Sequence, residues 1–210
     1  MEEQASPQIA GPLGDVTTDR LRLARVVAAD AHALTPVFAE PAVWEFPFGR
    51  GMDAEWTAGF VARAIGHWQR FGFGLSVART SQDQEVIGYL GLSMPAFLSE
   101  LIPADRMPAV EIGWRLHPDH WGQGYATEGG IAALRGAFET LRLSEVCSVP
   151  QSINAASARV ARRIGMLYER SATLMATDAR GAVDVDLYWI TRQRWLAAAS
   201  RGARTPAPRR

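Results

Sequence analysis

Residues 120–130 read HWGQGYATEGG and follow EIGWRLHPD, so Gly122 and Gly124 stand one residue apart where a strand pattern gives way to a helical one. Glycine weakens a helix by about 1 kcal/mol relative to alanine. A pair at a helix mouth is therefore expected where something must come close to the backbone. Anion binding is the chemistry this arrangement supports. The first amides of a helix lack internal acceptors, its N-terminus carries about half a positive charge, and glycines admit a phosphate without a Cβ in the way. A tight turn in which the glycines serve only geometry is the plain alternative. A dinucleotide fold would add a ribose-binding acid about twenty residues on, where Glu145 stands. Against it, Thr127 occupies the place of the third glycine, and Glu145 opens its strand rather than closing it. A Walker loop fails because no Lys-Ser or Lys-Thr follows the glycines.

Other side chains with reactive potential read as structural. Cys147 lies mid-strand without a histidine partner, which favours a buried thiol over an acylated nucleophile. His117 and His120 flank Asp119 just before the glycine turn, a weak metal pattern on an exposed loop, and no metal is expected. Asp184 and Asp186 read as a solvated strand face.

The elements that must position these groups follow from periodicity. Leu21–Val26 alternates as a strand, and Asp30 is expected to cap a short helix that turns Leu34, Val37 and Phe38 inward. The loop WEFPFGRG at 44–51 leads to a helix capped by Asp53 and running to about Phe71. Leu75–Thr80 and Val86–Ser93 flank SQDQ as a hairpin. Residues 95–108, with three prolines, read as an inserted loop. Val110–Leu116 is a strand; the helix after the glycines runs to about Thr140 with Ile131, Leu134, Phe138 and Leu141 on one face. Glu145–Val149 is a strand and Asn154–Arg163 a helix. Leu167–Met175 and Val183–Ile190 form a last hairpin around TDARG, and Thr191 starts a final helix with Trp195. The order β-α-α-β-β-β-α-β-α-β-β-α predicts one mixed α/β domain at 17–199, largely antiparallel, with a parallel crossover between 110 and 149. Residues 1–16 and 200–210 read as flexible tails.

Composition narrows the function. The chain has 210 residues, 48% apolar and 21% charged, with a formal charge of zero. It therefore lacks the basic excess of a nucleic-acid binder. A single cysteine suits a reducing compartment, the N-terminus does not read as a secretory signal, and no apolar run is long enough for a membrane. A cytoplasmic protein is expected.

EIGWRLHPDHWGQGYATEGG together with NAASARVARRIGM at 154–166 resembles the GNAT superfamily of N-acetyltransferases, nearest its ribosomal-protein acetyltransferase-like branch. The likeness spans about residues 17–196. The family's pyrophosphate loop begins with Gln or Arg; here Trp121 takes that place, followed by Gly122-Gln123-Gly124-Tyr125-Ala126. The resemblance implies acetyl-CoA as co-substrate, lying where the strands at 110–116 and 145–149 splay apart. Its pantetheine arm would pair with the strand edge at Leu116, and its pyrophosphate would sit on the loop from Trp121 to Thr127. Asn154 and Ser157 would bind from across the splay. Glu111 would be the general base, a backbone N–H near Leu116 would meet the oxyanion, and Trp44, Phe46 and Phe48 would line the acceptor pocket. Many relatives carry a tyrosine acid at the position of Ala161; Ser157 is the candidate substitute, with unaided departure of the thiolate as the alternative. The acceptor is then a primary amine, on a small molecule or a protein N-terminus, and a homodimer is compatible. An acyl-CoA sensor without catalysis, or transfer from a different acyl-CoA, are the rival functions.

Overall fold

A computed structural model describes residues 14–46, 48–175 and 181–202. The strands are β1 (Val16–Thr17), β2 (Leu21–Arg25), β3 (Leu75–Thr80), β4 (Val86–Ser93), β5 (Glu111–Leu116), β6 (Glu145–Ser148), β7 (Leu167–Met175) and β8 (Ala182–Thr191). They form one sheet in the order β1-β2-β3-β4-β5-β6-β8-β7. Every neighbouring pair is antiparallel except β5 and β6. The helices are α1 (Asp30–Ala39), α2 (Ala54–Phe71), α3 (Leu98–Leu101), α4 (Tyr125–Arg135), α5 (Ala155–Arg163) and α6 (Arg192–Gly202).

The sheet is covered on both sides, and its apolar residues sort by the two-residue period of a strand. Leu90 and Leu92 of β4 join Leu134, Phe138 and Ile164 in the core under α4 and α5. Tyr89, one step away, joins Val37, Phe38 and Val61 under α1 and α2. A third cluster seats Leu98, Leu101 and Ile102 of the 95–108 insertion against Cys147, Leu187 and Trp189. The expected loop thus contains a helical turn and its own anchor. Arg106 secures it, donating to both oxygens of Glu145 at 2.9 Å and lying 3.6 Å over the Trp189 ring.

Two expectations need correction. Asp30 does not cap α1 as its N-cap residue; Ala29 holds that place. The Asp30 carboxylate instead accepts from the Val27 N–H at 2.8 Å and pairs with Arg79, so its burial is balanced by charge. Ile131 is 36% exposed, whereas Leu134, Phe138 and Leu141 are fully buried. At 100° per residue, the buried residues Gly129, Gly130, Ala132 and Ala133 set the sheet-facing side of α4 and leave Ile131 nearly opposite. The helix does run to Thr140 as expected, with α4 proper ending at Arg135 and Gly136–Thr140 continuing it as a π-helical turn.

Val16 and Thr17 begin the sheet, while most of the two sequence-predicted tails and of the TDARG turn lies outside the described residues. Among the described residues no helix is long and apolar enough to cross a membrane.

Candidate active site

The parallel pair β5–β6 holds together at one point. Glu111 faces Cys147 in register, and the Cys147 N–H donates to the Val110 carbonyl at 2.9 Å. Beyond it the strands part. On the β4 side, the His117 N–H donates to Ile87 at 2.8 Å. By the two-residue alternation of a strand, the amides of Trp114 and Leu116 turn to the opening beside β6. The Leu116 carbonyl on that edge accepts the Trp121 indole N–H at 2.7 Å. Trp121 therefore closes the end of the exposed edge, while its ring stays 49% exposed.

Past that edge the chain turns through Gly122 and Gly124, whose φ angles of 73° and 87° are left-handed and suit glycine. A Cβ on Gly122 would meet nothing within 4 Å. Gly124 is the N-cap of α4 and offers no side-chain cap, so the first amides of the helix have no acceptor from that residue. The loop is braced from the turn between β1 and β2. Arg20 donates to the Gln123 carbonyl at 2.9 Å, ion-pairs with Glu128 at 2.6 Å and stacks over Tyr125 at 4.7 Å. Glu128 also accepts the Thr18 hydroxyl at 2.6 Å. Sequence reading missed Arg20, because its partners lie more than a hundred residues away.

The opening between β5 and β6 leads into a cavity of about 490 Å³. Its wall brings together Phe46, Phe48, Glu111, Asn154 and Ser157, drawn from a loop, a strand and a helix. The Asn154 side chain caps α5, accepting from the Ser157 N–H at 3.0 Å. That bond fixes both residues at the helix mouth beside the cavity. Trp44 is not in the wall: it is 3% exposed, packed edge-on against Phe38 at 5.0 Å. It acts beneath the pocket, with the Arg115 guanidinium 4.2 Å above its ring. Ala161 is fully buried in the main core and gives the cavity no polar atom.

Electrostatics single out Glu111. Desolvation by burial pushes its carboxyl up to about 7, against the opposing pull of the Val149 amide and of Arg115. A carboxyl poised there exchanges a proton readily at neutral pH. Cys147 is the contrary case. Fully buried, with its Sγ 3.4 Å from the Val110 carbonyl and its thiol pushed well up by burial, it is no nucleophile. His117 sits 3.5 Å from Asp119 and His120 3.4 Å from Glu85, so each imidazole faces a different carboxylate. Asp186 accepts the hydroxyls of Ser152 and Ser171, and Asp184 that of Thr173, so both brace the β7–β8 hairpin.

Residues 20–167 match the family model of the acetyltransferase (GNAT) domain. The chain is 35% identical over 127 residues to FsC-acetyl coenzyme A-N(2)-transacetylase of Aspergillus fumigatus, a match covering 60% of this chain and 53% of that protein. The chain thus spans about half the length of that relative. An acetyltransferase structure from Agrobacterium tumefaciens superposes with a TM-score of 0.65 at 28% identity, covering 85% of this chain and 94% of its own. The microcin C7 self-immunity acetyltransferase MccE, solved with acetyl-CoA and AMP, shares the fold with a TM-score of 0.64 at 14% identity over 83% of this chain and 93% of its own.

Proposed function

Because the chain belongs to the GNAT acetyltransferase family, we propose that it transfers the acetyl group of acetyl-CoA to a primary amine by direct attack, with Glu111 as general base. The acceptor amine belongs to a small molecule or a protein N-terminus. An ammonium has no lone pair, so a proton must leave before nitrogen attacks the thioester carbonyl. Glu111 takes that proton. The new C–N bond forms, the C–S bond breaks, and the sulfur departs with the bonding pair as thiolate. The amides of Trp114 and Leu116 offer donors to the developing oxyanion and to the pantetheine arm. The loop from Trp121 to Thr127 holds the pyrophosphate on backbone amides, with Asn154 and Ser157 on the facing wall. The nitrogen sheds its second proton as the amide forms, and the Ser157 hydroxyl relays a proton to the thiolate as it receives that one, a role that Ala161 leaves open.

The observation that carries this reading is the Glu111 carboxyl, raised to about 7 in the cavity wall at the point where β5 and β6 part. Glu111→Gln keeps the shape and removes the base. Turnover of acetyl-CoA with an amine acceptor, read as free thiol at neutral pH, should fall about 10²–10⁴-fold. The rise in melting temperature given by acetyl-CoA should persist. Undiminished turnover would move the base elsewhere. Tight binding of acetyl-CoA with no thiol release across amines, peptides and polyamines would make the protein a sensor.

A further inference from the structure

We propose that the acceptor is an amino carboxylate whose carboxylate is held by Arg115 while its amine reaches Glu111 across Gly113. The proposal rests on the acyl-transfer reading and names the substrate class of that same cavity. Glu111, Gly113 and Arg115 alternate along β5 and so share one face, and all three line the cavity. Their register partners on β4 are Ser93, Gly91 and Tyr89; Tyr89 packs with the α1–α2 core, which places this face on the side away from α4.

Between the two charged residues the floor is open. A Cβ built on Gly113 would meet nothing within 4 Å. Gly113 is not among the glycines with positive φ, so backbone conformation does not demand a glycine there. What its missing side chain provides is room. At one end of that room the Arg115 guanidinium is held but not neutralised. Its Nη1 donates to the Val43 carbonyl at 2.8 Å, and Trp44 covers one of its faces. Among the described residues no carboxylate lies within ion-pair distance of it, whereas Arg20, Arg79 and Arg106 each have one. Arginine carries five donors in a planar fork that matches a carboxylate in two parallel bonds. A fork fixed by stacking at a cavity wall, with no carboxylate of the described residues close enough to pair with it, is a receptor for one. Glu111 and Arg115 are about 13 Å apart along the strand at Cα, a span shortened by the reach of both side chains. The fitting acceptor therefore separates amine from carboxylate by a short chain, and Phe46 and Phe97 in the same wall give that chain apolar company.

The test is calorimetric binding to the CoA-loaded protein of ω-amino acids from 4-aminobutanoate to 8-aminooctanoate, against alkylamines of equal length. At least one amino acid should bind tenfold or more tightly than its matched amine. Arg115→Gln should erase that ratio and Arg115→Lys should keep part of it. Equal binding by the native protein, or a ratio undiminished in Arg115→Gln, overturns the proposal. If Arg115→Gln no longer shows a melting shift with acetyl-CoA, Gly113→Val decides, because its Cβ has room to fold. Loss of amino-acid binding in that variant supports the proposal, and full binding overturns it. Binding is read without turnover, so the two readings fail separately. A charge-selective protein that never releases thiol keeps the acceptor site and loses the transfer reaction. Thiol release that is equal for charged and neutral amines keeps the transfer and loses the site.

Discussion

At Glu111, burial disfavours the carboxylate by more than the Val149 amide and the Arg115 charge restore, and the carboxyl rises from 4.5 to about 7. Two consequences have opposite signs. The proposed reaction needs the base form, so kcat/KM should climb about tenfold per pH unit below 7 and level off above it. Stability runs the other way. A carboxyl raised in the folded state contributes fully below the unfolded value near 4.5 and loses that contribution as pH rises through 7. The loss amounts to about 3 kcal/mol at most, at 1.36 kcal/mol per pKa unit. Glu111→Gln should therefore be more stable than the native protein at pH 8, with the gap closing toward pH 4.5. Urea unfolding at both pH values checks it; a gap independent of pH would mean that Glu111 ionises normally.

Among the elements, α4 matters through its first turn. Gly124 has a φ of 87° at the N-cap, and its neighbours are tied to the β1–β2 turn through Arg20 and Glu128. Most of that tie rests on hydrogen bonds received by the Glu128 carboxylate, since Arg20 is nearly half exposed and its ion pair alone is weak. Gly124→Val forces a branched side chain into a left-handed conformation beside the Arg20 guanidinium and, under the proposed function, puts its methyls in the way of the pyrophosphate. The melting shift given by acetyl-CoA should vanish in this variant, while its unliganded melting point falls by the equivalent of about 1–2 kcal/mol. A full shift would place the phosphate elsewhere. The splay of β5 from β6 is the second decisive element. A strand edge kept from its neighbour leaves amides open to an extended ligand.

Across the whole molecule, the glycine turn proposed to hold the cofactor stands on the α4–α5 core, whereas the proposed acceptor side depends on the α1–α2 core and on the insertion around α3. Leu98, fully buried, anchors that insertion, and its neighbours Phe97 and Glu100 reach the cavity wall. Leu98→Ala should cost about 2–4 kcal/mol in urea unfolding and weaken acceptor binding. The acetyl-CoA melting shift should survive, because the glycine turn proposed to hold the phosphates packs on another cluster. Loss of that shift would show the two halves to be one cooperative site.

Local rules determined what depends on near neighbours. Strand alternation gave the hairpins, Asp53 caps α2 through the Trp56 N–H at 2.8 Å, and the Gly122–Gly124 spacing marked a helix mouth. The same rules placed Asn154 at the start of α5, where it stands as N-cap. Tertiary structure decided whatever depends on distant segments. It buried Trp44 beneath the cavity and turned Ile131 outward, because burial follows from which surface a helix meets. It joined Arg20 to Glu128 across 108 residues and parted β5 from β6 after one register pair. It also set Glu111, Gly113 and Arg115 along an open floor. Alternation put the three on one face, but the room above Gly113 and the seating of Arg115 between the Val43 carbonyl and the Trp44 ring exist only after α1, α2 and the insertion have packed around that strand.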